Sequence, residues 1–318
     1  MKRVFLSVVL TGATLVGTAG AQVGPPMLGY LPDSGALRAM TGIPASGSIG
    51  PILGSGQVFT QLVASPSGTF ALADNADGTV MVVTVASDGV TLNTVVVAGA
   101  TAGNLQLSPS GSSGLISNGG VVQAISGLPG APTAQPAVDT TYLGAASALA
   151  VSDDGQWVAG VFGGSVYALA TGGQAEPLPA PSGVSALAFY RGTDDLAATT
   201  ANQVVTITGI AATPASTTVF GSANAPVPPE SPIAIALTEG NAQIVLLEPD
   251  GGIGEIDLTS GSVTTANCGC TPQGLNGLSG SVFRISNLAG GAVKLYDADS
   301  GNVLFVPLAP AGAQGGQQ

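Results

Sequence analysis

The chain of 318 residues contains no histidine. Without an imidazole there is no Ser-His-Asp or Cys-His nucleophilic pair and no ordinary catalytic zinc site, and the commonest general base is missing. Charge is scarce as well. Asp, Glu, Lys and Arg make up 8% of the residues, against about 25% in ordinary soluble domains. Positive charge is scarcest, with six basic residues against eighteen acids and a formal net charge of −12. Such a surface repels phosphate backbones and anionic lipids, which excludes nucleic acid and membrane surfaces as partners. Long apolar runs are missing beyond the first twenty residues.

Those first residues read as a secretory signal. Lys2 and Arg3 precede the apolar stretch 4–16, and Ala19-Gly20-Ala21 supplies small residues at the positions a signal peptidase reads. The stretch is shorter than the roughly 20 residues of a membrane span. No cysteine lies near the cleavage point, so no lipid anchor is expected. Residues 1–21 are expected to be removed, leaving a secreted or periplasmic chain with no membrane insertion. Its basic residues are then Arg38, Arg191, Arg284 and Lys294.

What the sequence does have is glycine (48), proline (22) and 45% hydrophobic residues, mostly small or β-branched. Many turns and a core large enough to bury point to an all-β chain with short strands. Internal repeats give the arrangement. "QLVASPSGTFALADNADGTVMVVTV" (61–85), "LQLSPSGSSGLISNGGVVQAIS" (105–126) and "ALAVSDDGQWVAGVFGGSVYALA" (148–170) share one frame: apolar strand, polar turn, apolar strand, Gly/Asn/Asp turn, alternating strand. Fainter copies occupy 186–208, 234–258 and 275–297. The equivalent turn positions are Ser65, Ser108, Ser152, Tyr190, Thr238 and Leu278, spaced 38 to 48 residues apart. A four-stranded propeller blade takes about 40–45 residues. A more variable fourth strand, such as 92–99 or 175–183, lies between copies.

The expected fold is therefore a β-propeller of four-stranded blades, seven in number, with six as the alternative. Six repeats are legible at 59–308. Ahead of them, in 22–58, "LGYLPDSGALRAMTGI" (28–43) resembles the second half of a repeat, a strand–turn–strand like "VKLYDADSGNVLFVP" (293–307). It reads as a partial seventh blade, or as an outer hairpin on six. The tail 309–318 is low-complexity and expected to be disordered.

"LSPSG" and "VSDDGQWVA" resemble the S-P-D-G repeats of bacterial TolB-type, YVTN-type and WD-repeat-like propellers. The chain also resembles a group of uncharacterised exported propellers. The resemblance implies a fold and little function, since such propellers serve as receptors, scaffolds and a few hydrolases. Propeller lactonases use clustered His, Glu and Arg, or acids and Asn around calcium; the first set fails here, and no pattern supports the second. Quinone-cofactor propellers carry many tryptophans, and this chain has one. "SDDGQW" is a residue short of a sialidase-type Asp box and lacks its Thr. No cofactor is expected, with calcium left as an alternative that no pattern supports.

Two groups of residues stand out as site candidates. Cys268 and Cys270, the only cysteines, can pair with each other or across chains. Their Cα atoms, about 6–7 Å apart in an extended chain, lie at the limit for a disulfide unless Gly269 bends the backbone. The pair reads as a local pin, with redox chemistry or a soft-metal site as the rivals. The second group is Asn75, Asp77, Asp139, Glu230 and Asp250, expected together on the face where blade-joining loops emerge. They would rim a shallow funnel for an unknown protein or glycan ligand. Asp and Asn are also ordinary turn formers. The functional expectation is an exported binding or scaffold propeller without catalysis. The alternatives are a hydrolase using carboxylates and a divalent metal, and a structural protein of the cell envelope.

Overall fold

The computed structural model describes residues 26–54, 56–221, 232–288 and 291–310. The expected signal at 1–21 and residues 311–318 of the expected tail lie outside the described residues. Within them the chain is a β-propeller of seven blades, each an antiparallel sheet of sequence-consecutive strands. The blades span 27–53, 61–96, 104–139, 146–177, 186–220, 234–267 and 276–307. Two short 3-10 turns, Pro44–Ser46 and Thr141–Leu143, are the only helical elements among the described residues. No helix there is long and apolar enough to cross a membrane.

The repeat frame folds as its pattern suggests. In blades 2 to 7 the residues at the six equivalent positions end the innermost strand. Each donates its backbone N–H across the first turn, Ser65 to Phe70 at 2.9 Å, Ser152 to Trp157 at 2.9 Å, Thr238 to Gln243 at 3.1 Å. The second strand is buried on both sides and divides its side chains by period two between two neighbours. In blade 2, Ala71 and Ala73 join a cluster with Tyr30, Leu37 and Leu53 of blade 1, while Leu72 joins Leu105, Ile116 and Ile125 of blade 3. In blade 6, Ile244 and Leu246 face blade 5, and Val245 and Leu247 face blade 7. The core is thus seven apolar seams, one between each pair of neighbouring blades. Trp157, partly buried, packs into the seam between blades 4 and 5.

The N-terminal segment corrects one expectation. It is a three-stranded blade in its own right, and "LGYLPDSGALRAMTGI" forms its first two strands, Met27–Asp33 and Ala36–Thr41, not its last two. A strand–Asp-x-Gly–strand signature specifies a hairpin and carries nothing about distance from the axis. A third strand, Ser48–Leu53, completes the blade. Its outer edge is blunted: Pro51 has no N–H to offer, Arg38 covers the Gly50 carbonyl at 3.1 Å, and Ala309 donates to the Ile49 carbonyl at 2.9 Å. The ring closes without a shared strand. Leu28, Leu31, Met40 and Ile49 pack against Leu278, Val282, Val293 and Leu295, and Ser279 donates to the Leu28 carbonyl.

Buried polar groups mark two seams. Between blades 6 and 7, Glu255 accepts hydrogen bonds from Gln243 Nε2 at 2.7 Å and the Tyr296 hydroxyl at 2.6 Å. Burial and the Glu255 contact push the Tyr296 hydroxyl well above the usual tyrosine range. On the second strand of blade 7, the Arg284 Nη1 is buried with no hydrogen-bond partner among the described residues. Burial lowers the Arg284 guanidinium to about 10.

Candidate functional site

The stretch Ser152-Asp153-Asp154-Gly155 is a tight turn between the first and second strands of blade 4. Ser152 is fully buried; its Oγ accepts from the Trp157 N–H at 3.0 Å and donates to Asp154 Oδ1 at 2.6 Å. Gly155 has φ 70°, the left-handed region that favours glycine, and in blade 6 Asn241 takes the same place with φ 55°. The carboxylate of Asp153 points sideways. Oδ1 accepts from the Ser110 N–H of blade 3 at 2.8 Å, and Oδ2 from the Gly192 N–H of blade 5 at 2.7 Å. One side chain therefore ties three blades together.

The same position in the next two blades carries Arg191 and Glu239. Arg191 Nη1 donates to Glu239 Oε1 at 3.2 Å, and Nη2 reaches past blade 4 to the Pro109 carbonyl of blade 3 at 2.9 Å. Asn241 locks the pair of turns by exchanging two hydrogen bonds of 2.9 Å with the Arg191 backbone. This lacing of the turns was not anticipated. Its signal is present in the sequence as Asp, Arg and Glu at one repeat position of three consecutive blades. Behind it, burial and the nearby Asp154 and Asp195 hold the Asp194 carboxyl above its ordinary value.

An axial channel of about 470 Å³ runs between the innermost strands of blades 2 to 7. Its walls are aliphatic residues such as Val63, Ala148, Leu187 and Ile235, and no ionisable side chain is among those lining it. Three amide side chains, Gln106, Gln273 and Asn276, also line it. None of the three makes a side-chain hydrogen bond among the described residues. Gln273 and Gly274 enter from the loop that carries the cysteines.

The anticipated rim residues that are described are engaged by their own turns. Asn75 Oδ1 accepts from the Thr79 N–H at 3.0 Å, and Asp77 Oδ1 from the same N–H at 2.9 Å. Asp139 Oδ1 accepts from the Thr141 N–H and hydroxyl at 2.9 and 2.6 Å, and Asp250 Oδ1 from the Gly252 N–H at 2.9 Å. The threonine hydrogen bonds hold the Asp77 and Asp139 carboxyls below their ordinary range. Asp74, beside this turn, is raised by burial. Glu230 lies outside the described residues. None of the other four lines the channel, and no group of three or more Cys, Asp or Glu among the described residues is arranged to hold a metal ion.

Cys268 and Cys270 are joined by a disulfide, with Cα atoms 5.2 Å apart. Gly269 between them has φ 53°, which supplies the bend. Cys268 N–H donates to the Gly251 carbonyl at 2.9 Å, and Lys294 Nζ donates to the carbonyls of Cys268 and Gly269 at 2.6 and 2.9 Å.

No protein-family model matches the chain, and no curated protein matches it. Among solved structures, a functionally unknown protein from Desulfotomaculum acetoxidans superimposes with a TM-score of 0.59 at 12% identity, covering 89% of this chain and 99% of the other. The likeness is one of fold.

Proposed function

We propose that this chain is an exported propeller that binds a neutral, hydrogen-bonding ligand, such as an uncharged glycan, in its axial channel, without transforming it. The observation that carries this reading is the channel itself: about 470 Å³, within the range of small-molecule sites, with free amides and no ionisable side chain. General acid–base work needs a titratable group within reach of the reacting atom. Amide side chains and a wall of apolar β-edges suit hydroxyls and C–H faces instead. Export rests on the N-terminal pattern, and a cysteine pair free to oxidise suits such a compartment.

The test is thermal unfolding and calorimetry with matched neutral and uronic-acid oligosaccharides. At a hundredfold excess over Kd a bound ligand stabilises by about 2.7 kcal/mol. Neutral sugars should raise Tm and acidic ones should not, and Asn276→Leu should abolish the effect. A preference for the acidic sugars, no binding to either series, or turnover of ester or lactone substrates would overturn it.

A further inference from the structure

We propose that the Cys268–Cys270 disulfide is a thiol–disulfide exchange site, which takes two electrons from a flexible dithiol such as a pair of cysteines in an unfolded polypeptide. This stands independently of what the channel holds. A cross-link that spans one residue closes almost no loop, so it constrains the unfolded chain far less than a structural bridge does. Something other than chain entropy must account for it.

The two sulfurs are unequal. Cys268 is 4% exposed, within the apolar seam between blades 6 and 7, while Cys270 packs against that seam but is partly exposed and Gly269 is exposed. An incoming thiolate therefore meets Cys270 first. The surrounding backbone is held by bonds that do not involve sulfur. Cys268 N–H is tied to Gly251, Gly269 N–H to Asn267 Oδ1 at 2.7 Å, and both carbonyls of the bend to Lys294. The opposite turn is shaped around the pair: a Cβ at Gly251 would lie 2.8 Å from Cys268 Sγ and 2.8 Å from the Cys270 carbonyl oxygen. The loop can open and close its S–S bond on a frame that stays put.

Lys294 is the only lysine among the described residues, and its ammonium sits on this bend. A fixed positive charge beside a thiol favours the thiolate, both as leaving group and as product. Glu248 and Asp250 of the facing turn act in the opposite sense, and the Asp250 carboxylate is engaged with the Gly252 N–H.

In the forward step a substrate thiolate attacks Cys270 Sγ. The Cys268–Cys270 bond breaks, a mixed disulfide to Cys270 forms, and the electron pair leaves on Cys268 Sγ as thiolate. The second substrate thiolate attacks the substrate sulfur of that mixed disulfide, which closes the substrate disulfide and expels Cys270 as thiolate. The two protons shed by the substrate thiols are available to the two cysteines. The substrate is oxidised by two electrons and the protein reduced by two. A small-molecule disulfide such as oxidised glutathione reverses the change.

The experiment uses the full chain with a reduced peptide bearing two cysteines and catalytic protein in excess oxidised glutathione. Peptide oxidation should run at least tenfold faster than with Cys268Ser/Cys270Ser protein. Two thiols per chain should appear under one equivalent of dithiothreitol while the β-sheet circular dichroism is unchanged. Lys294→Met gives up two carbonyl hydrogen bonds and should lower Tm by a few degrees; compared well below that Tm, it should slow exchange several-fold, and Lys294→Arg should restore both. Peptide oxidation no faster than with the double serine variant overturns the proposal. So does a bond that dithiothreitol opens only after the sheets unfold. Equal rates in Lys294→Met and the parent chain would remove the lysine from the mechanism.

Discussion

Asp153→Ala tests whether the SDDG turn holds the ring together or serves a site. The substitution deletes both acceptors that receive the Ser110 and Gly192 N–H groups at 2.8 and 2.7 Å. A hydrogen bond to a charged group contributes about 1.5–3 kcal/mol when shielded from water. The Ser110 bond is partly buried and the Gly192 bond exposed, so the second counts for a fraction of that. The expected loss is about 2 kcal/mol, read in a thermal melt as a fall of roughly 3–4 °C for a domain of this size. Asp153→Asn keeps one acceptor and turns an amine toward the other N–H, so it should fall between Ala and the parent. Glu239→Gln, which touches only the exposed Arg191 contact, should shift Tm by less than about 2 °C. Asp153→Ala with an unchanged melt would refute the clamp. Loss of ligand binding at intact stability would show that the turn is a site after all.

Two further expectations follow from buried and titrating groups. Arg284→Met keeps an unbranched side chain in place and removes a buried charge whose Nη1 has no partner among the described residues; the unfolding free energy from urea titration should rise, by up to about 2 kcal/mol, and a fall would show that the guanidinium is held by a contact worth more than its burial costs. With no histidine, Tm should be nearly flat from about pH 6 to 9, since no side chain has its ordinary pKa there. On the acid side, Asp77, Asp88, Asp139 and Asp257 are held below their ordinary values. Their stabilisation is present above the ordinary carboxylate pKa and lost as pH falls through the lowered values; Asp74 and Asp194, raised, oppose part of this. On the alkaline side, Tyr30, Tyr190 and Tyr296 are raised, so stability should fall as pH climbs above about 10. Arg284, lowered to about 10, works the other way. A melting profile with a step between pH 6 and 8 would contradict the assignment.

The blades were legible because the middle strands of each blade bury both faces and each first turn needs a residue at positive φ or a capping Ser or Asp. Those demands repeat every blade, and the spacing of Ser65, Ser108 and Ser152 reports them directly. Leu278 and Tyr190 lack the side-chain cap yet keep the same backbone bond, which is why their copies are faint. The N-terminal partial blade is where it was expected, but its hairpin was likened to the wrong pair of strands because period-two apolarity tells a strand which faces are covered and says nothing of its radius. The described rim candidates are each engaged by their own turn. Asp77, Asp139 and Asp250 share a face by topology, but Asp77 and Asp250 each sit in a hairpin turn and Asp139 in the connection from blade 3 to blade 4, and proximity between blades is not written in any one of them. Conversely, Asp153, Arg191 and Glu239 look like unrelated surface charges until the ring sets their turns side by side.

The seam between the first and last blades is, like the other six, an apolar one to which both neighbours contribute. Its side-chain packing therefore does not distinguish it from a seam crossed by the chain. A chain circularly permuted by a short linker across Ala309 and Met27, and opened instead at a loop such as Gly119-Gly120, would present the same seven contacts to itself. What such a rearrangement would alter is the order in which the sheets are synthesised, and so which one must wait with an uncovered flank for its last neighbour to arrive.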